Sequence, residues 1–232
     1  MRPRHFVITV VVIAMLALVM TGCGKSKKEE PVKETETEEQ PMSSTPSSTP
    51  GSTPQPAAQL GPDGKPVRTL ASFTDGQDGA NVEAVLKTGK GDIVIQLYPD
   101  VAPVSVASFL HLARTKFYDG TRFHRVVPGF VVQGGDPKSK KANAPDVGTG
   151  GPGYYLPSEF SNRPHETGTV AMARSQSPTS GGSQFYICLE PQPSLDGQYT
   201  VFGKVISGMD VVNSIVQGDV LNQVIIRPKT AT

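Results

Sequence analysis

The chain has 232 residues, a formal net charge of +1 and a hydrophobic content of 37%. This length suits one or two domains, and the near-neutral charge lacks the basic balance typical of nucleic-acid binding, so we expect no nucleic acid as a partner. Only two cysteines are present, Cys23 and Cys188. They could pair with each other, but the N-terminal segment suggests a different role for Cys23.

The N-terminus has the pattern of an export signal. Arg2 and Arg4 precede an apolar run over residues 6–20, which is shorter than the roughly 20 residues of a membrane-spanning helix. The run ends in "VMTGCG", and small residues before a cysteine resemble the lipobox of bacterial lipoproteins. The resemblance implies a signal peptide over residues 1–22 and acylation of Cys23. The alternatives are an uncleaved anchor and ordinary secretion.

If Cys23 is acylated, its lipid attaches the protein to a membrane surface. We therefore expect an extracytoplasmic, lipid-anchored protein at the cell membrane or the outer membrane, with Cys188 left as a lone thiol. The membrane is then one of its partners, through the lipid anchor.

Residues 23–80 are predicted to form a polar spacer. Residues 25–39 are charged and nearly free of apolar side chains, and "SSTPSSTPGSTP" (residues 43–54) repeats a short proline-containing unit. Such segments bury too little apolar surface to offset the entropy of ordering, and their prolines keep the chain extended. The alternative is a binding site for a proline-recognising partner.

The folded domain is predicted to span residues 81–232. Apolar and polar residues alternate over residues 82–86 and 93–97, on either side of "TGKG", which predicts a β-hairpin. The apolar residues between Val106 and Phe117 have helical spacing, and they predict an amphipathic helix with Pro103 in its first turn and "YDG" at its end.

Short apolar strands separated by Gly and Pro turns follow as far as residue 206. Val212, Ile215 and Val216 predict a second short helix, and residues 224–226 predict a last strand. Many short strands with two widely separated helices predict a mainly β domain, a closed or nearly closed β-barrel capped by the helices.

Several kinds of chemistry find little support in the sequence. The histidines lie at no metal-ligand spacing from one another, so we expect no metal site. "GGSQF" around Ser183 lacks the second glycine of a nucleophile elbow, although a triad of Ser183 with His124 stays an alternative. "GTGGPG" (residues 148–153) has no following Lys-Ser or Lys-Thr, so it does not match a phosphate loop.

Three longer motifs occur in order: "FHRVVPGFVVQGGD" (residues 123–136), "VAMARSQSPTSGGSQFYI" (170–187) and "LDGQYTVFGKV" (195–205). Together they resemble the cyclophilins, which are peptidyl-prolyl cis-trans isomerases, over roughly residues 81–229. The resemblance implies a closed eight-stranded antiparallel β-barrel capped by two α-helices. It also implies proline-containing, unfolded or flexible polypeptides as substrates and no cofactor, and we expect a monomer.

The resemblance implies Arg125 as the catalytic residue, which donates a hydrogen bond to the prolyl nitrogen. Phe130 falls on the floor of the proline pocket, and Gln133 on the glutamine that binds the substrate backbone and positions Arg125. Ala173 and Arg174 fall on the segment that contacts the residues before proline. The implied substrate-binding residues are His124, Phe130, Val131, Gln133, Ala173, Arg174, Gln184, Phe185, Tyr186, Leu195 and Tyr199.

The chain also departs from the family pattern. It has no Trp, Ser194 stands where many eukaryotic members have Trp, and Tyr199 replaces a histidine, which puts cyclosporin binding in doubt. Residues 138–146, "KSKKANAPD", form an apparent insertion, either a solvated loop or a basic contact with anionic lipid or a partner. The alternative to an isomerase of exported proteins is a proline-peptide binding module or holdase chaperone that does not depend on turnover.

Overall fold

The computed structural model describes residues 59–230 of the chain. The predicted signal peptide, the predicted lipidation site Cys23 and the predicted spacer up to residue 58 lie outside these residues. Among the residues described, none belongs to a helix long and apolar enough to cross a membrane.

The body of the domain is one antiparallel sheet. Its strands are β1 (Val82–Thr88), β2 (Gly91–Leu97), β3 (Thr121–Arg122), β4 (Arg125–Val127), β5 (Val131–Gly134), β6 (Thr169–Met172), β7 (Phe185–Cys188), β8 (Val201–Ser207) and β9 (Val220–Pro228). The nine strands follow the order β3-β9-β1-β2-β8-β6-β7-β5-β4. Two α-helices occur in residues 59–230, α1 (Pro103–Arg114) and α2 (Met209–Ser214).

The sheet is curled, because its two edge strands are neighbours in the sequence. Only Phe123 and His124 separate β3 from β4, so the two edges lie close together. The backbone of Phe123 forms hydrogen bonds with the two residues just before β9 instead of continuing a strand. Its N–H donates to the carbonyl of Asp219 at 2.9 Å, and its carbonyl accepts from the N–H of Gly218 at 2.9 Å. Within residues 59–230 no ladder joins β3 to β4.

The predicted mainly β domain with two α-helices is therefore confirmed, and its antiparallel sheet is a curled one. The closed eight-stranded barrel is not confirmed, because residues 59–230 contain nine strands, and the edge strands β3 and β4 are not paired with each other. The break at Phe123 and His124 accounts for this difference, since it divides one stretch of chain into two short strands.

The local predictions agree well with these elements. In the hairpin of β1 and β2, Leu86 lies opposite Ile93 and Ala84 opposite Ile95, and all four side chains are buried. The helix α1 begins at Pro103, whose fixed φ and missing N–H suit the first turn. It ends at Arg114, one turn before Phe117. The helix α2 ends at Ser214, so it is placed slightly earlier than predicted.

The core lies between α1 and the concave face of the sheet. Phe109 of α1 packs against Phe202 at 5.3 Å, Tyr118 at 5.2 Å and Phe185 at 5.8 Å between ring centroids. These rings are at most 1% exposed. Each large apolar side chain buried in this way contributes about 1.5–3 kcal/mol to stability.

The folded part described here begins before Asn81, the predicted start of the domain. Phe73, in the stretch predicted as spacer, is 3% exposed and packs against His111 of α1 and Tyr154. Asp78 forms an ion pair with Arg114, and the Asp75 carboxylate lies at hydrogen-bond distance, 2.9 Å, from Nδ1 of His111. We call residues 59–80 the N-terminal segment. A single aromatic residue in a polar stretch has no periodic pattern, so the sequence did not indicate this packing.

Candidate active site

Three neighbouring strands place the central side chains of the site. Arg125 of β4 lies opposite Gln133 of β5, and Gln133 lies opposite Tyr186 of β7. Directly opposed residues of antiparallel strands project from the same face of a sheet. The sheet register therefore brings a guanidinium, an amide and an aromatic ring into one row, although the three residues are far apart in the sequence.

This row forms part of a cavity of about 310 Å³, which we call the proline cavity. All the predicted site residues line it except three. The lining residues are Arg125, Phe130, Val131, Gln133, Ala173, Arg174, Tyr186, Leu195 and Tyr199. The remaining predicted residues, His124, Gln184 and Phe185, lie elsewhere.

The walls of the proline cavity are mostly apolar. Val131 and Tyr186 are buried, and Phe130, Leu195 and Tyr199 pack against them while they stay partly exposed. Tyr186 and Tyr199 meet edge to face, with 5.8 Å between their ring centroids. Such a cavity favours a small apolar ring, because its walls offer dispersion contacts and few hydrogen bonds.

Arg125 is the exposed cationic residue at the opening of the cavity. Its guanidinium lies 5.5 Å from the centre of the Phe130 ring, within the range of a cation–π contact. It forms no ion pair with any residue of the described part of the chain. The planar guanidinium fork holds its N–H donors in a fixed geometry and leaves donors available to a ligand in the cavity.

A chain of hydrogen bonds orients Gln133. Its Nε2 donates to Oε1 of Gln184 at 3.0 Å, and Nε2 of Gln184 donates to the carbonyls of Gly148 and Gly150, each at 2.9 Å. Nε2 of Gln184 is oriented by the two glycine carbonyls, so its Oε1 faces Gln133 as an acceptor. This arrangement determines that the NH₂ group of the Gln133 amide points towards Gln184. Gln184 thus acts behind the proline cavity and not in its wall.

The carboxylate of Asp136 holds the glycine-rich loop that carries these carbonyls. Asp136 is fully buried, and its oxygens accept from the backbone N–H of Lys138 at 2.7 Å, of Gly150 at 3.3 Å and of Gly148. Backbone donors compensate the cost of burying the charge. Asp136 was not among the predicted functional residues, although it closes the first of the three motifs.

His124 precedes Arg125 but does not line the cavity. It is half-buried, and burial lowers the pKa of its imidazole. Neither ring nitrogen has a hydrogen-bond partner among residues 59–230. The lowered pKa favours the neutral form of the imidazole, and His124 lies outside the wall of the proline cavity.

The side chains of Phe185 and Ser183 are buried and lie outside the proline cavity. Phe185 is fully buried and meets Phe109 and Tyr118 edge to face in the core. Ser183 is 1% exposed, and its hydroxyl donates to the carbonyl of Gly135 at 2.7 Å, not to a histidine. This geometry gives no support to the serine-hydrolase alternative.

A second buried network lies behind Tyr186 and was also missed. The side chain of His165 is fully buried, and its Nδ1 donates to the Asp196 carboxylate at 2.9 Å. Its Nε2 lies 3.0 Å from the Tyr186 hydroxyl, which donates to it when the imidazole is neutral. Asp196 follows Leu195 directly, so His165 connects two walls of the proline cavity. Two residues 31 positions apart leave no local signal in the sequence.

Comparison with known proteins agrees with this geometry. The model of the family "Cyclophilin type peptidyl-prolyl cis-trans isomerase/CLD" matches residues 84–230, and the chain belongs to this family. It is accordingly an enzyme of the cyclophilin type, a peptidyl-prolyl cis-trans isomerase.

Two bacterial relatives share about half of their aligned residues with the chain. A probable peptidyl-prolyl cis-trans isomerase of Brucella suis is 51% identical over 139 residues, which are 58% of this chain and 71% of the relative. Peptidyl-prolyl cis-trans isomerase B of Bacillus subtilis is 49% identical over 134 residues, 57% of this chain and 88% of the relative.

A solved structure is similar as well. A cyclophilin type peptidyl-prolyl cis-trans isomerase of Cryptosporidium parvum, crystallised in the presence of the dipeptide Ala-Pro, superposes with a TM-score of 0.57 and 27% sequence identity. The similarity covers 63% of this chain and 99% of that one.

Proposed function

We propose that the chain accelerates rotation about X-Pro bonds by a hydrogen bond from the Arg125 guanidinium to the prolyl nitrogen. One observation carries this mechanism. A guanidinium that forms no ion pair with any of residues 59–230 lies at the opening of a mostly apolar cavity. The Cryptosporidium relative that was crystallised with Ala-Pro supports a proline-containing peptide as the occupant of this cavity.

The energetics require no covalent bond to the enzyme. Rotation about the peptide bond has a barrier of about 18–20 kcal/mol, because the nitrogen lone pair is shared with the carbonyl. A turnover on the order of 10³ per second corresponds to a barrier of about 13 kcal/mol, so such a turnover requires the enzyme to lower the barrier by about 5–7 kcal/mol. In the twisted state the lone pair is localised on nitrogen, and a fixed donor stabilises that state more than the planar one.

The other residues of the site have supporting roles in this proposal. The apolar walls hold the proline ring while the chain on the other side of the bond turns. Gln133, whose side-chain NH₂ is engaged by Gln184, presents its carbonyl oxygen to a substrate N–H or to Arg125. Neither role needs a metal or a cofactor.

We further propose that the enzyme acts on exported proteins near a membrane. The support comes from the sequence alone, namely the signal-like residues 1–22 and the lipobox-like "TGCG" around Cys23. Labelling with a fatty-acid analogue tests the anchor. Incorporation that disappears in Cys23→Ser is expected, and equal labelling of both proteins would contradict it.

The mechanism is tested by the isomerisation rate of X-Pro peptides with the full chain, Arg125→Ala and the surface control Arg114→Ala. We expect Arg125→Ala to lower kcat/KM by about 10²–10³-fold, as for loss of one preorganised donor, and Arg114→Ala to leave it unchanged. Peptide affinity is measured in parallel. If the wild-type chain binds peptides but shows no acceleration, the binding-module alternative is correct.

A further inference from the structure

A second cavity, of about 560 Å³, adjoins the proline cavity. The two share Gln133, Ala173 and Arg174 as wall residues, and the glycine-rich residues 148–153 line the far side. An extended peptide advances about 3.3–3.6 Å per residue, so a side chain within two residues of a bound proline reaches across this shared wall. The second cavity is thus placed to contact a neighbour of the proline in the substrate.

The charged side chains that line the second cavity are all basic. They are Lys65, Lys138 and Arg174, and no aspartate or glutamate lines the cavity. Several of the other lining residues are glycines, whose backbone adds no charge of its own. The side chains that line the cavity therefore present only positive charge to a ligand, and such a wall attracts an anionic group.

The charge of Arg174 is the least compensated of the three. Its Nε donates to the carbonyl of Gln198 at 3.0 Å and its Nη1 to that of Ser175 at 2.9 Å, so its partners are uncharged. Its guanidinium carbon lies 4.6 Å from the centre of the Tyr199 ring, which holds the side chain between the two cavities. It forms no ion pair in residues 59–230.

Lys65 and Lys138 do have acidic neighbours, namely Asp63 and Asp146. Both pairs are exposed at the rim, with side-chain exposures of 49% and 43% for the first and 41% and 54% for the second. Exposed ion pairs are weak and strongly screened, so they compete little with a carboxylate delivered by a bound substrate.

The N-terminal segment places Lys65 at this cavity by a specific fold. A turn is closed by the Gly61 N–H, which donates to the Lys65 carbonyl at 2.8 Å, and the Tyr155 N–H donates to the carbonyl of Pro66 at 2.9 Å. The Lys65 ammonium lies 5.5 Å from the centre of the Tyr155 ring. Lys65 precedes residues 84–230, the part that matches the family model, so it is an addition of this chain to the site.

From these observations we propose that the second cavity is a subsite for an acidic side chain within two residues of the proline, with Lys65 and Arg174 as its cationic contacts. The proposal rests on the proposed isomerase function and assigns it a substrate class, X-Pro segments with a neighbouring aspartate or glutamate. Lys65 is then a specificity-determining residue and takes no part in the rotation itself.

The test compares peptides that differ in one residue. The full chain is assayed at low salt with X-Pro peptides carrying Glu, Gln, Lys or Ala at each of the two positions before and after the proline. We expect a Glu-to-Gln ratio of kcat/KM of about threefold to fivefold at one position, which falls towards one in about 0.5 M salt. In Lys65→Gln we expect the Glu-to-Gln ratio of kcat/KM to fall below twofold. In Lys65→Glu we expect kcat/KM to be higher for the Lys peptide than for the Glu peptide.

Lys87→Gln is the matched control, because Lys87 is also exposed and paired with an aspartate, Asp92, on the distant β1–β2 hairpin. It should keep the wild-type ratio. Equal values for Glu and Gln peptides at every position, with Ala peptides still isomerised, would overturn the subsite and leave the isomerase function standing. If no peptide is isomerised, the proposed function fails, and peptide affinities from fluorescence anisotropy still decide the charge preference.

Discussion

Alanine substitutions at two adjacent glycines test whether the buried carboxylate of Asp136 holds the active site in place. A Cβ added at Gly150 would lie 2.0 Å from Oδ1 of Asp136, whereas one added at Gly151 would meet no atom within 4 Å. Neither glycine has a positive φ, so backbone strain does not distinguish them. Gly150→Ala and Gly151→Ala therefore differ mainly in their effect on Asp136.

The expected size of the effect follows from the contacts. Ordinary contacts of a Cβ begin at 3.4 Å, so Gly150→Ala must displace the carboxylate by more than an ångström. Overpacking of this kind costs about 1–3 kcal/mol, and the loss of one hydrogen bond to a charged group costs about 1.5–3 kcal/mol. Since part of the strain relaxes, we expect a loss of about 2–4 kcal/mol in the free energy of unfolding. Gly151→Ala should be neutral or slightly stabilising.

The same displacement should also lower activity. The carbonyls of Gly148 and Gly150 orient Gln184, and Gln184 orients Gln133, so a shifted loop misplaces the Gln133 amide. About 1.4 kcal/mol of lost transition-state stabilisation corresponds to a tenfold lower kcat/KM, and we expect a loss of this order. Urea unfolding and peptide isomerisation are the two assays. Free energies of unfolding within about 0.5 kcal/mol of each other for the two variants would refute the role of Asp136.

Three further predictions concern buried groups near the site. His165→Asn keeps a donor for Asp196 but loses the acceptor for the Tyr186 hydroxyl, so we expect KM to rise about fivefold with kcat nearly unchanged. An unchanged KM would show that this network does not shape the cavity. Because burial lowers the pKa of His124, the unfolded state takes up the proton first, and stability should fall as the pH drops through about 6.5. His124→Gln should remove that part of the loss between pH 7.5 and 5, and an identical pH dependence in both proteins would contradict it. Burial raises the pKa of the Cys188 thiol to about 12, so a thiol reagent should label it only in urea, and rapid labelling of the folded protein would speak against this burial.

Local patterns predicted much of the sheet and both helices. The alternation over β1 and β2 and the helical spacing that begins at Pro103 were correct, because each depends on a face that repeats with the period of its own element. Element ends were less certain: α1 ends a turn before Phe117, since a partly buried aromatic residue that packs against the core after a helix continues the apolar pattern without continuing the helix.

The motifs also identified most of the proline cavity. Arg125, Phe130, Gln133, Tyr186 and others in its wall were all named from the sequence. The position of Gln184 behind Gln133, and of Phe185 in the core, came from the structure. Adjacent residues of a strand point to opposite faces, so a short motif such as "QFY" cannot supply three residues to one cavity.

The sequence by itself determined the strands, the helices and the residue types of the site, because these depend on local spacing and on contiguous motifs. Tertiary structure alone decided how far the sheet closes, that Phe73 and Lys65 belong to the folded part, and that His165 and Asp136 support the cavity walls. The physical reason is the same for each: these contacts join residues far apart in the chain, and only the path of the folded backbone brings them within a few ångströms of one another.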